Sequence, residues 1–193
     1  MIPEFYIRNG TLMKYQGQGG TVVIPENVTS IDILAFKDSA PVQEILVSPQ
    51  NSCYASHDGI LYDKHLTTVI RCPHAKSEVN LPETVRHIRR GAFEDCINLQ
   101  SLVLPDNFQS MEAFSFKNTS GLCLQYRQYL FPIDSNGRYN RRIFNMVKEK
   151  DFYTKELPNE LRLYLVLTMF FSSPEEKSLL ISFIRILWTR SMP

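Results

Sequence analysis

At 193 residues the chain has room for one large domain or two small ones. With 44% hydrophobic and 21% charged residues it has the texture of a globular protein, and a net charge of +1 excludes a bulk pull toward nucleic acid or an anionic membrane. Its longest apolar runs, 161–171 and 179–188, fall short of the roughly 20 residues that cross a bilayer, and each holds an arginine, so no membrane span is expected.

The first residues carry no basic stretch before an apolar run, which predicts no secretory signal and a cytoplasmic location. A cell-surface location is the alternative if the chain is a fragment. Residues 5–15 alternate in a strand-like way around Asn9-Gly10, the strongest short hairpin signal, and Gly17, Gly19 and Gly20 then break the chain. This opening reads as a hairpin cap on a repeat array.

A phrase then occurs three times. Residues 24–36 run Ile24-Pro25 through Val28 and Ile31 to Ala35-Phe36; residues 81–93 run Leu81-Pro82 through Val85 and Ile88 to Ala92-Phe93; residues 104–116 run Leu104-Pro105 through Met111 to Ser115-Phe116. Each has an apolar residue six positions after the proline and a phenylalanine eleven after it, the self-similarity of a solenoid. In the second copy Val79 and Leu81 form a short strand that Pro82 ends, because proline cannot donate to a ladder. Val85 and Ile88 face inward, Ala92-Phe93 make a small-plus-large plug, and Cys96 and Leu99 close the turn. Leu102 and Leu104 begin the next strand, for a period of 23 from Pro82 to Pro105. Between the first and second copies lies an insertion, roughly 49–76, whose two β-prone runs about a polar tip predict a hairpin that continues the sheet.

After Tyr126 the pattern changes. Residues 139–150 read as a helix, Pro158 opens a second through about Phe171, and Ser173-Pro174-Glu175-Glu176 is a capping box that starts a third. The last two are apolar nearly all round, so they need cover from the repeats, from a second copy or from further helices. The charge also shifts: residues 1–120 hold 10 basic against 13 acidic side chains, and residues 121–193 hold 11 against 7.

The Pro-x2-Val-x2-Ile-x3-Ala-Phe-x2-Cys phrase, the Asp58-Gly-Ile-Leu-Tyr62 and Thr67-Thr-Val-Ile-Arg71-x-Pro73 segments, and the opening from Phe5 to Pro25 resemble the BspA-like leucine-rich repeat family of bacteria over about residues 5–125. Ser39 and Thr119 stand in the cysteine slot, and Met111 and Ser115 replace isoleucine and alanine in the third copy. The resemblance implies a stack of short strands and tight turns, and a binding or adhesion protein without catalytic residues. The expected fold class is therefore α+β: a β-rich leucine-rich-repeat solenoid over 1–125, with hairpin cap and inserted hairpin, then a small helical region over 126–193.

No nucleophile elbow, phosphate loop, dinucleotide fingerprint or zincin motif is present, so neither an enzyme nor a cofactor is expected. Cys53, His57, His65, Cys72 and His74 match no standard metal spacing; the plain reading is a hairpin with surface histidines. The four cysteines read as reduced thiols. The basic-aromatic stretch from Tyr126 to Arg142, within the basic region 126–155, invites a nucleic-acid reading, against a solvated face packed on the last repeat. Arg86, His87, Arg89 and Arg90 read as an exposed turn that would give an acidic partner a foothold.

Alignment on the prolines places Thr21 and Val23, Glu44 and Leu46, Glu78 and Asn80, and Ser101 and Val103 in one outward column on the sheet face. Solenoids bind through such faces, and Val23, Leu46 and Val103 make it partly apolar. The expected function is protein–protein interaction or scaffolding. Adhesion to a host or matrix ligand and nucleic-acid binding are the alternatives, and the apolar helices over 158–190 offer a route to homo-oligomers.

Overall fold

In this computed structural model, residues 4–127, 129–134, 137–139 and 145 are described. The strands are β1 Phe5–Arg8, β2 Thr11–Tyr15, β3 Gly20–Ile24, β4 Ser30–Ile31, β5 Val42–Val47, β6 Tyr54–His57, β7 Ile60–Asp63, β8 Thr68–Arg71, β9 Glu78–Asn80, β10 His87–Ile88, β11 Ser101–Leu104, β12 Ser110–Met111, β13 Cys123–Tyr126 and β14 Tyr129–Pro132. Three coils have a longer strand on one wall, a proline turn, and a two-residue strand on the other wall: β3 then β4, β9 then β10, and β11 then β12. The longer strands pair in parallel as β3–β5 and β9–β11–β13. The two-residue strands pair in parallel with hairpin strands and with each other, as β2–β4 and β8–β10–β12.

The proline explains the switch between walls. It follows directly on Ile24, Leu81 and Leu104 and stops the ladder, and the chain then turns: Val28, Val85 and Phe108 each donate from N–H to the carbonyl of the proline three residues back. The inward residues Val28, Ile31, Val85 and Ile88 and both Ala-Phe plugs are buried. Two residues beyond each phenylalanine, Asp38, Asp95 and Asn118 adopt φ of 56°, 61° and 57°, a left-handed turn that Asp and Asn tolerate. Neighbouring coils are also laced from outside: Lys117 pairs with Glu94 at 2.8 Å, and Asn118 Nδ2 donates to Asp95 Oδ1 at 2.8 Å.

The rungs between short strands recur in fixed slots. Thr29 and Ser30 donate to Gly10 O, Arg86 and His87 to Thr67 O, and Gln109 and Ser110 to Arg86 O. Tyr15 N donates to Ala35 O and Cys72 N to Ala92 O, both at 2.7 Å. Thus β8 stands where β2 stood, and each is the second strand of a hairpin.

The region read as one inserted hairpin holds two. The β7–β8 hairpin about residues 64–67 is as expected, its tip held by Asp63 Oδ1, which accepts from Thr67 N at 2.6 Å and Thr68 N at 2.8 Å. A second hairpin, β6–β7, turns at Asp58-Gly59 with φ of 48° and 69°, matching Asn9-Gly10 at 49° and 75°. Strand β7 is a wall between two cores. Leu61 faces the first, with Leu12, Tyr15, Ile24, Phe36 and Ile45; Ile60 and Tyr62 face the second, with Val79, Phe93, Leu102, Phe116 and Leu124.

The α+β class is corrected. Among the described residues every regular element is a strand, and the fold is a β-solenoid of leucine-rich-repeat type. The helices read over 139–150, 158–171 and from Ser173 fall almost wholly outside the described residues, and nothing supports a helical C-terminal region. The repeat wall itself ends in a reversal: β14 pairs antiparallel with β13.

Gly19 is a position from which a side chain is excluded. Its φ is +83°, and a Cβ there would collide with the Pro41 carbonyl oxygen, which accepts the Gly20 N–H at 3.1 Å. Gly19→Ala should lower stability by about 1–3 kcal/mol, read as a drop in the urea midpoint with an unchanged slope.

Candidate functional site

In β3, β5, β9 and β11 the residues between core positions point outward, and all eight residues of the predicted face lie among them. Val22, Ile24, Val42, Ile45, Val79, Leu102 and Leu104 fill the core side. Thr21, Val23, Leu46, Glu78 and Asn80 are exposed; Glu44, Ser101 and Val103 are partly covered by neighbours. In register, Thr21 stands opposite Glu44, Val23 opposite Leu46, Glu78 opposite Ser101, and Asn80 opposite Val103.

The structure does not bring the eight into one continuous ladder. β5 and β9 are not hydrogen-bonded to each other, because the β6–β7 hairpin tip comes between them. Ile45 N donates to Gly59 O at 2.8 Å, and Lys76 holds Asp58 at 2.9 Å. The face therefore divides into a Thr21–Val23–Glu44–Leu46 patch and a Glu78–Asn80–Ser101–Val103 patch, the latter extended by Gln125 opposite Val103. Val23 is 50% exposed and Leu46 36%, an apolar pair in direct cross-strand register.

The other predicted groups are dispersed. Cys72 is fully buried beside Cys96, and burial followed by that neighbour raises its thiol well above the ordinary range. His57 is exposed at the end of β6, and among the described residues no three His, Cys, Asp or Glu side chains converge on a metal position. Of the basic group, Arg86 Nη1 donates to Glu83 O and Val85 O, and His87 Nδ1 lies 2.8 Å from Ser110 Oγ. Arg89 Nη1 donates to Ile31 O at 2.9 Å, and the Arg90 guanidinium sits 4.9 Å over the Phe114 ring. In the basic-aromatic stretch Arg127 lies 5.0 Å over Tyr126, whose hydroxyl donates to Asp106 O at 3.0 Å; residues 140–142 are outside the described residues.

Two features escaped the sequence reading. Asn51, fully buried, joins the first coil to β6. Arg71, also buried, reaches Gly91 O and His74 across the junction between the two cores. His74 is pushed below its ordinary pKa by burial and then by the Arg71 charge.

The profile of the BspA type leucine rich repeat region matches residues 12–120 and 71–136, with six copies. Among solved structures the chain is similar to the pneumococcal vaccine antigen PcpA, at 19% identity over 60% of this chain and 27% of that one, with a TM-score of 0.50. It is also similar to a leucine rich cell surface protein from Faecalibacterium prausnitzii, at 28% identity over 54% and 28% with a TM-score of 0.47. A third is a leucine-rich repeat protein from Eubacterium ventriosum, at 25% identity over 55% and 36% with a TM-score of 0.42. The chain thus spans 27–36% of the length of these solved relatives. No curated protein matches it. The recurring rungs, the proline turns and a profile match over more than half of its length place this chain in the BspA type leucine-rich repeat family.

Proposed function

We propose that this repeat module is a non-enzymatic protein-interaction unit that holds a protein partner against the outer strand face, with Val23 and Leu46 at the centre of contact. The observation that carries the reading is the Val23–Leu46 pair. Two branched apolar side chains stand opposite each other on the water side of a parallel ladder whose other side is already a packed core. Apolar area placed there gains nothing for folding, and it gains on the order of 25 cal/mol per Å² when a partner removes it from water. Thr21, Glu44, Glu78, Asn80 and Ser101 supply the polar surround that interfaces use for orientation. What supports the non-enzymatic part of the proposal is the solenoid's habit of displaying side chains along a surface. The proposal holds for a cytoplasmic or a surface-displayed protein alike.

Leu46→Asp and Val103→Asp should leave the unfolding free energy from urea titration within about 0.5 kcal/mol of the parent, since neither residue faces the core. Leu46→Asp should weaken retention of the partner by at least roughly tenfold, as expected for a charge placed in the centre of an apolar contact. Val103→Asp should weaken it less, because it lies in the other patch. Retention unchanged in Leu46→Asp would remove the strand face from consideration, and unfolding would show that Leu46 belongs to the core.

A further inference from the structure

At the junction between the two cores, on the turn side away from Val23 and Leu46, a cleft is lined by Ile31, Asp32, Ile33, Arg71, Arg89 and Arg90. It contains three guanidinium groups and one carboxylate, and among the described residues none of the three arginines is ion-paired. Arg71 is only 7% exposed; its bonds are Nη1 to Gly91 O at 2.8 Å and a contact of Nη2 with His74 Nε2 at 3.1 Å. Asp32 forms no ion pair with any of the three among the described residues; its Oδ1 accepts from Leu34 N at 2.8 Å, and the neighbouring Glu112 Oε2 accepts from the Arg90 backbone N–H at 3.2 Å.

The histidine contact sharpens the imbalance. His74 Nδ1 lies 3.1 Å from the donating Val42 N–H, and a neutral imidazole has only one nitrogen that accepts. With Nδ1 accepting from Val42, Nε2 carries the ring hydrogen and is a second donor 3.1 Å from Arg71 Nη2; in the other tautomer it is the Val42 N–H that loses its acceptor, so the ring does not satisfy both. A buried cation without a counter-charge, next to a second donor, is costly unless an anion completes the group. Exposed apolar side chains accompany the charges: Ile33 in the lining, Leu34 next to it in sequence at 53% exposure, and Phe114, under the Arg90 guanidinium, at 56%.

The geometry points to this cleft as the receptor for an acidic side chain of a partner protein, presented in a segment with apolar residues on either side of the acid. The carboxylate enters between Arg89 and Arg90, where it compensates the Arg71 charge, and the flanking side chains lie on Ile33–Leu34 and Phe114. The complementarity is one of charge first: a carboxylate accepts two parallel guanidinium N–H groups, which an amide or hydroxyl does not match. This surface is separate from the Val23–Leu46 patch, so either assignment survives failure of the other.

Selection of random displayed dodecapeptides on the full chain tests it. The expected result is enrichment of segments in which Asp or Glu lies between apolar residues, with binding weakened about tenfold or more by Arg89→Gln/Arg90→Gln and unchanged by Leu46→Asp. Arg90→Gln alone, at an exposed position, should weaken binding without moving the urea midpoint, which separates loss of the site from loss of the fold. Inorganic phosphate, titrated separately, should compete only at far higher concentration. No enrichment, enrichment without acidic residues, equal binding to the double variant, or binding of phosphate alone (an adventitious ion only) would each overturn the assignment.

Discussion

Phe93→Ala should lower the unfolding free energy by about 3–5 kcal/mol, the largest single-residue effect in the repeat wall. The side chain is fully buried, and its ring lies 5.4 Å from that of Phe116 in the next coil, at an interplanar angle of 25°. Its carbonyl accepts the Thr119 hydroxyl, and its N–H donates to Ser115 O at 2.8 Å. Truncation therefore opens a cavity at a place where two coils meet, and a stacked array has only nearest neighbours from which to recover the loss. Against a total stability of about 5–15 kcal/mol, such a variant would populate unfolded molecules at moderate temperature. Urea unfolding followed by far-ultraviolet circular dichroism measures it, and Phe93→Leu should restore most of the loss. A cost below about 1 kcal/mol would show that the plug is not what holds adjacent coils together.

Asn51→Ala should cost about 2–4 kcal/mol, through hydrogen bonding and not through volume. The buried amide uses all its capacity. Nδ2 donates to Pro25 O at 2.7 Å and Val28 O at 2.9 Å, while Oδ1 accepts from Cys53 N at 2.9 Å and Tyr54 N at 2.8 Å. Alanine would strand four backbone groups where the first proline turn meets the start of β6. The N-terminal core loses its tie to the β6–β7 hairpin, so amide exchange should accelerate at Val28 and Tyr54 before it does around Phe93 and Leu102. Asn51→Asp should be nearly as damaging, since a carboxylate keeps the two acceptor roles but brings no donor to the Pro25 and Val28 carbonyls. Uniform acceleration of exchange over both cores would show that Asn51 is not a local clamp.

These effects also explain what was legible in the residues. The repeat was readable because each slot has its own requirement: proline ends a strand, valine and isoleucine fill the next inward positions, alanine makes room for phenylalanine. Outward alternation in β3, β9 and β11 was readable because one side of each strand meets a core and the other meets water. The β6–β7 hairpin was missed although Asp58-Gly59 carries the same turn signal as Asn9-Gly10. Ile60, Leu61 and Tyr62 face cores on both sides of β7, so the strand shows an apolar run without the alternation that marks a half-exposed partner. That hairpin also divides the outer face, which an alignment on prolines treats as unbroken. Asn51 and Arg71 left no local trace of their long-range ties, which reach backbone groups 20 or more residues away: Asn51 Nδ2 to Pro25 O and Val28 O, and Arg71 Nη1 to Gly91 O. The helical reading rested on the pattern of residues 139–150, on Pro158 as a helix start and on the Ser173–Glu176 capping box, nearly all of which lie outside the described residues, and every regular element among the described residues is a strand.

The recurrence of rungs in fixed slots sets the increments in which this architecture can change length. Leu81-Pro82 and Leu104-Pro105 are equivalent junctions, so splicing Leu81 directly to Pro105 would excise one whole coil of 23 residues. The Thr67 carbonyl would then meet the Gln109 and Ser110 N–H groups in the geometry in which it now meets Arg86 and His87. Excision of 22 or 24 residues would instead turn every inward side chain of the following strand to water. The ruler of this chain is thus graduated in coils, and insertions or losses between those marks can be absorbed only in the turns.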